Sequence, residues 1–393
     1  MLMLSFEIGR LILALASLGL GLLVWTRAHS LKVWMLSLGG TEFGHYFAVV
    51  PLAVLLTGSW SLLSGAVSVV ALSALVVLLA PAFWARRISA GLPAALEKAF
   101  GRTAPSFRFS WRRLFFGRAI PPVSFETLIY DEAHGLRLNF YRSLSKKPPC
   151  VIVLHTGGWG NGAPEEFLKF NDHIAREGYA VAALQYRLAP RWKWPATYED
   201  VRQAVTYLRE RAVELGIDAS RFVLLGRSAG GQIAEAAAYL GNDPAIRGCI
   251  AFYAPTDMTF SYRLGFENDI LESPKLLRNY LGGSPDEVPA IYREASPRLN
   301  VHPNVPPTLL LHGRRDSLVW YRQSKRLANA LKKVNAPHYY LEFPWATHAF
   351  DYNHHGPAGQ LAKYAIDYFL DLVTQPTSID PEADQQQKGK DRA

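Results

Sequence analysis

The chain divides by its hydropathy pattern before any motif is considered. From Phe6 to Trp25 apolar residues follow one another with little interruption, and His45 to Ala85 is a run of 41 residues without Asp, Glu, Lys or Arg. A bilayer-spanning helix needs about 20 residues, so the longer run suits two helices joined by a tight turn. Gly58-Ser59-Trp60-Ser61 supplies the turn residues, and the earlier helix is expected to begin near Thr41. Ala14-Leu15-Ala16 resembles a signal-cleavage site but falls too early in its apolar run. The pattern predicts three retained spans within residues 1–85.

After Phe125 the pattern changes to short apolar runs alternating with amphipathic stretches. FETLIYDEA and LRLNFYR, separated by His134-Gly135, predict a hairpin at a sheet edge. CVIVL (150–154), YAVAAL (179–184), RFVLL (221–225), CIAFY (249–253), TLLLH (308–312) and HYYLEF (338–343) are the continuous runs of strands covered on both faces. Helical stripes lie between them, for example Val201, Ala204, Val205, Leu208, Ala212 and Leu215. The expectation is an α/β domain over 121–373, with an eight-stranded, mostly parallel, doubly wound sheet. Residues 257–305 interrupt the alternation beyond the carboxyl end of a strand and are expected to form a cap. Residues 86–120 are expected to link the apolar region to the sheet, and the polar 374–393 to be a disordered tail.

Charge sharpens the division. The net charge is +9, and eight basic residues between Arg86 and Arg118 face one acid, Glu97. A basic belt directly after the last apolar segment fits anionic membrane lipid better than nucleic acid. With three spans, Arg27 and Lys32 share a side with that belt, which the positive-inside rule assigns to the cytoplasm together with the remaining chain. Cys150 and Cys249 lie in apolar runs and read as buried thiols, and the absence of CxxC and HExxH gives metal chemistry no support.

The candidate chemistry centres on RFVLLGRSAGG, residues 221–231. An apolar strand, a Gly-x-Ser-x-Gly and the helix-forming QIAEAAAYL are the context of a nucleophile elbow, which presents a serine at a sharp corner. Ser228 is the candidate nucleophile. Such sheets order the triad as Ser, then Asp or Glu, then His. Asp316 follows the seventh strand run and His348 the eighth. Asp257, also beyond a strand, is the competing acid, whereas Asp351 is too near His348 in sequence to reach around it. His312 reads as structural, and His354 and His355 fall in a Gly/Pro-flanked loop. HTGGWG (155–160) ends the third strand run, so Gly157 and Gly158 join Ala229 as candidate oxyanion donors.

These residues resemble the α/β-hydrolase superfamily, and within it the hormone-sensitive-lipase-like esterases. The blocks HTGGW, YRLAP, GRSAGG and the pair HGRRD with ATHAF carry the likeness, which covers roughly residues 120–373. It implies a cofactor-free carboxylic-ester hydrolase acting through Ser228, His348 and Asp316, with Gly157, Gly158 and Ala229 as oxyanion donors and His155 structural. The expected aromatic cap and membrane segment suggest a small-molecule or lipid ester, hydrophobic or short-acyl, as substrate, and no metal is expected. Two positions depart from the family pattern: Thr156 replaces the first glycine of the usual HGGG, and Arg227 occupies a slot often held by an acid. Serine peptidase or acyltransferase chemistry uses the same triad, and a non-catalytic binding protein is the alternative outside catalysis.

Overall fold

The computed structural model describes residues 2–117 and 123–376. Eight strands among them form one sheet in the order β1-β2-β4-β3-β5-β6-β7-β8. They are β1 (Phe125–Asp131), β2 (Leu136–Tyr141), β3 (Cys150–Leu154), β4 (Ala180–Leu184), β5 (Phe222–Arg227), β6 (Ile246–Phe252), β7 (Thr308–Gly313) and β8 (His338–Phe343). β1 and β2 form the antiparallel edge hairpin, β2 meets β4 antiparallel, and every later pairing is parallel.

The continuous apolar runs are explained by burial on two faces. Successive side chains point to opposite sides of a strand, so Cys150, Ile152 and Leu154 join one core while Val151 and Val153 join the other. The first core receives Ile233, Ala234 and Ala237 of the helix Ala229–Leu240; the second receives Ile366, Phe369 and Leu370 of the C-terminal helix Pro357–Val373. Each fully buried Val, Leu, Ile or Phe contributes about 1.5–3 kcal/mol of apolar burial. Between β6 and β7 the helices Met258–Leu264, Ser273–Leu281 and Pro289–Glu294 stand over the sheet.

The apolar N-terminal region is helical but departs from three straight spans. The first helix, Leu2–Leu22, continues as a 3-10 turn through Trp25. The helix Leu31–Glu42 then meets the segment Gly44–Leu56 at a 78° bend, and after a turn the helix Leu62–Phe100 runs unbroken for 39 residues. Among the described residues two helices are long and apolar enough to cross a membrane, and the bent pair adds a third candidate. Helix begins at Leu31 rather than near Thr41, and the bend leaves a shorter straight stretch than the sequence pattern suggested.

The boundary drawn at residue 85 falls inside the long helix. Its physical reason is packing: Ala85, Leu92 and Leu96 are buried in the same core as Phe369 and Phe343. Ser61 Oγ caps the helix start by accepting from the Ser64 amide, and Gly101 ends the helix at a left-handed φ of 74°. Arg118 of the basic belt and residues 377–393 of the expected tail lie outside the described residues. Thr374 and Gln375, the first tail residues, still bond back to Leu370 and Asp371.

Candidate active site

β5 ends at Arg227 and the next helix begins at Ala229, so Ser228 alone makes the turn between them. Its backbone sits at φ 53°, ψ −121°, a conformation costing a non-glycine residue about 1–3 kcal/mol. The crossing leaves no room for side chains on either flank. A Cβ on Gly226 would lie 2.0 Å from the Gly230 carbonyl oxygen, and one on Gly230 would lie 2.3 Å from that of His155.

Two loops from later strands complete a hydrogen-bonded chain. Ser228 Oγ lies 3.0 Å from His348 Nε2, and His348 Nδ1 lies 2.7 Å from Asp316 Oδ2. The other Asp316 oxygen accepts from the amides of Leu318 and Val319, each at 2.8 Å. Burial alone would raise the Asp316 carboxyl, but the facing His348 and the bond to His312 outweigh it and hold the group well below the usual carboxylate range. His312 bonds Ser324 Oγ and the Val319 carbonyl, so it braces the acid loop. Asp257 is elsewhere engaged: it caps the helix Met258–Leu264 and pairs with Arg298 and Arg326. His354 and His355 sit together before the C-terminal helix, with ring centroids 5.1 Å apart, and neither lines the cavity at Ser228.

The glycine-containing turn after β3 lies beside the serine. Gly157 and Gly158 adopt φ of 110° and 57°. Gly158, Trp159 and Ala229 line the cavity with Ser228, whereas Gly157 does not. His155 stacks on Tyr186 at 4.0 Å, and Tyr186 donates to the His155 carbonyl, which ties the YRLAP segment to this turn. Thr156 bonds Glu166 through both its amide and its hydroxyl. Trp159 stacks on Tyr280 of the cap at 4.5 Å and donates to Gln232.

Arg227 and Asp351, which the sequence reading left unconnected, form a buried pair at 2.6 Å. The guanidinium lies 4.3–4.7 Å from the rings of Phe167, Phe170 and Phe252. Asp351 also accepts from the Tyr253 hydroxyl, and the Tyr253 ring stands 4.3 Å from that of His348. A cation in the slot before the serine is thus matched by an acid in the loop after the histidine.

The apolar N-terminal region reaches the same loops. Glu42 accepts from Trp345 Nε1 and from the Ala358 amide, each at 3.1 Å, and its carbonyl accepts from Asn353. Trp345 and Asn353 bracket His348. The Ala28 amide donates to Ser317 Oγ at 2.8 Å, one residue beyond Asp316. Arg27, Ala28 and His29 form part of the wall of a cavity of about 600 Å³ that also holds Ser228, Leu264, Phe266, Leu276, Leu318 and Trp320. In the sequence Arg27 signals only membrane topology, and Glu42 stands out only as an acid in an otherwise apolar stretch.

Among the described residues, side chains placed closely enough to share a metal ion are His173, Glu177 and Asp367, none of which lines the cavity. His173 is already bonded to Asp367 at 2.8 Å.

The BD-FAE family model matches residues 138–331. The chain is 29% identical to Esterase LipC of Mycobacterium tuberculosis over 58% of its own length and 59% of that protein. It is 28% identical to the same organism's Probable carboxylic ester hydrolase LipM over 75% of its length and 76% of that protein. The chain therefore spans less than two thirds of LipC and about three quarters of LipM. A solved structure titled Bacterial Heroin Esterase superimposes with a TM-score of 0.57 at 21% identity, covering 72% of this chain and 91% of that one. That likeness is one of fold.

Proposed function

From the premise that the chain belongs to the α/β-hydrolase superfamily, we propose that it is a membrane-anchored serine carboxylic-ester hydrolase acting through an acyl-enzyme. The observation carrying this reading is the unbroken chain from Ser228 Oγ through His348 to Asp316, at 3.0 and 2.7 Å. His348 Nε2 takes the hydroxyl proton as Ser228 Oγ attacks the ester carbonyl carbon, and that proton leaves with the alcohol. Water then gives a proton to His348 and attacks the acyl carbon, releasing the acid and restoring Ser228. Asp316 holds the Nδ1–H tautomer and stabilises the imidazolium. Backbone amides at Gly158 and Ala229, which line the cavity with Ser228, serve the developing oxyanion, each such donor being worth about 10²–10³ in rate. No cofactor enters the reaction, and the substrate is an ester with a substantial apolar part, matching the leucine and aromatic lining of the cavity.

The anchor in this reading is the N-terminal helical region, with the hydrolase domain cytoplasmic. Arg10 bonds Ser64 Oγ and the Val54 carbonyl, so the start of the first helix, the end of the bent segment and the start of the long helix share one end of the bundle. Residues 26–30 and the hydrolase domain share the other.

Purified full-length protein is expected to hydrolyse p-nitrophenyl butyrate and to be labelled by a fluorophosphonate, with both properties abolished in Ser228→Ala. Labelling that survives the substitution refutes the assignment. For topology, Ser59→Cys in sealed vesicles should react with an impermeant maleimide only from the side opposite the hydrolase domain. Reaction from the hydrolase side would mean that the helix Leu62–Phe100 does not cross the membrane.

A further inference from the structure

The connection between the first two N-terminal helices is also a wall of the catalytic cavity. Arg27, Ala28 and His29 stand in one lining with Ser228, and the Ala28–Ser317 bond fixes them to the acid loop. This connection begins where an apolar helix ends. Trp25 is 46% exposed, and Leu22, Leu31, Met35 and Leu36 around it are exposed too.

Cations and indoles gather at the same level. Arg27 and Arg322 lie over the Trp320 ring at 5.6 and 4.3 Å, and Arg315 over the Trp25 ring at 5.7 Å. Arginine with tryptophan at the end of an apolar helix is the composition of a membrane–water interface. Trp320 itself lines the cavity, as does Phe266 of the cap, which is 66% exposed. The same few residues thus bound the cavity at Ser228 and carry the composition of a bilayer surface.

We infer that the substrate reaches Ser228 from the leaflet and not from bulk water: it is a lipid ester whose hydrocarbon arm lies between residues 27–29 and the cap. The inference rests on the esterase reading above and deepens it. Membrane helices that served only as an anchor would have no reason to supply three consecutive residues to the substrate wall. A hydrocarbon arm leaving the cavity along Leu318, Trp320 and Phe266 passes from one apolar surface to another without crossing water.

The test uses full-length protein in phosphatidylcholine/phosphatidylglycerol vesicles and a decyl fluorophosphonate carrying a diazirine near the chain end. Ser228 Oγ bonds to phosphorus as fluoride leaves, and irradiation then marks whatever touches the chain. The expected result is a Ser228 adduct cross-linked within residues 25–31. A Ser228 adduct whose cross-links fall only in the cap, or elsewhere in the chain, overturns the inference while leaving the esterase reading intact. Absence of any Ser228 adduct overturns both. Independently, Ala28→Trp should lower the ratio of kcat/KM for p-nitrophenyl decanoate to that for the acetate by about ten-fold. An unchanged ratio in a variant that still binds the fluorophosphonate contradicts the inference.

Discussion

The sheet and the N-terminal helices each place a buried carboxylate against the loop that carries His348, and they do so in opposite ways. Asp316, from the end of β7, meets the imidazole itself at 2.7 Å. Glu42, from the apolar region, meets the frame of the loop, accepting from Trp345 before the histidine and from the Ala358 amide after it. In the proposed mechanism the first contact belongs to the reacting chain, and the second acts only through position. The loop bearing His348 is held here on one side by the sheet domain and on the other by the N-terminal helices.

The largest effect expected from breaking this symmetry is on the inner side. Asp316→Asn should lower kcat by about 10⁴-fold, as loss of the tautomer-fixing acid does in serine triads. Asp257→Asn should stay within a few-fold, because Asp257 is bound up with Arg298 and Arg326. Steady-state hydrolysis of p-nitrophenyl butyrate decides between them, and near-full activity in Asp316→Asn would transfer the acid role elsewhere. Next is the tie between elbow and loop. Arg227→Ala leaves Asp351 buried without its cation, which should cost about 3–5 kcal/mol of stability, seen as a lowered melting temperature. Replacing both residues by Leu should recover part of that loss. The smallest effect belongs to the outer side: Glu42→Ala should lower kcat about ten-fold through misplacement, with KM little changed and fluorophosphonate labelling slowed. Equal loss from Glu42→Ala and Asp316→Asn would remove the distinction between framing and reacting.

Much of the sheet was legible because its signals are local. Each apolar run became a strand within a few residues of its predicted limits, with β5 reaching Arg227 and β6 starting back at Ile246. The order of Ser228, Asp316 and His348 along the chain, each beyond a strand end, likewise survives in three dimensions as adjacency. What escaped depends on contacts with no local pattern. Arg227 and Asp351 are 124 positions apart, and either charge alone reads as an oddity. Glu42 and Ala358 are separated by 316 positions, and nothing in an apolar stretch announces that its lone acid will cap a distant helix. Hydropathy located the N-terminal helices but not the 78° bend, which coincides with Glu42 being tied to the hydrolase domain.

The helix Leu62–Phe100 has a mechanical consequence. At 1.5 Å per residue its 39 residues extend about 58 Å, roughly twice the thickness of a bilayer's hydrocarbon. Its upper half is not a tether, because Leu92 and Leu96 are bricks of the globular interior. Cleavage within the segment that carries Leu92 and Leu96 is therefore expected to open the core. The cavity at Ser228 is consequently fixed in position relative to the N-terminal helices, like a tool on a rigid post.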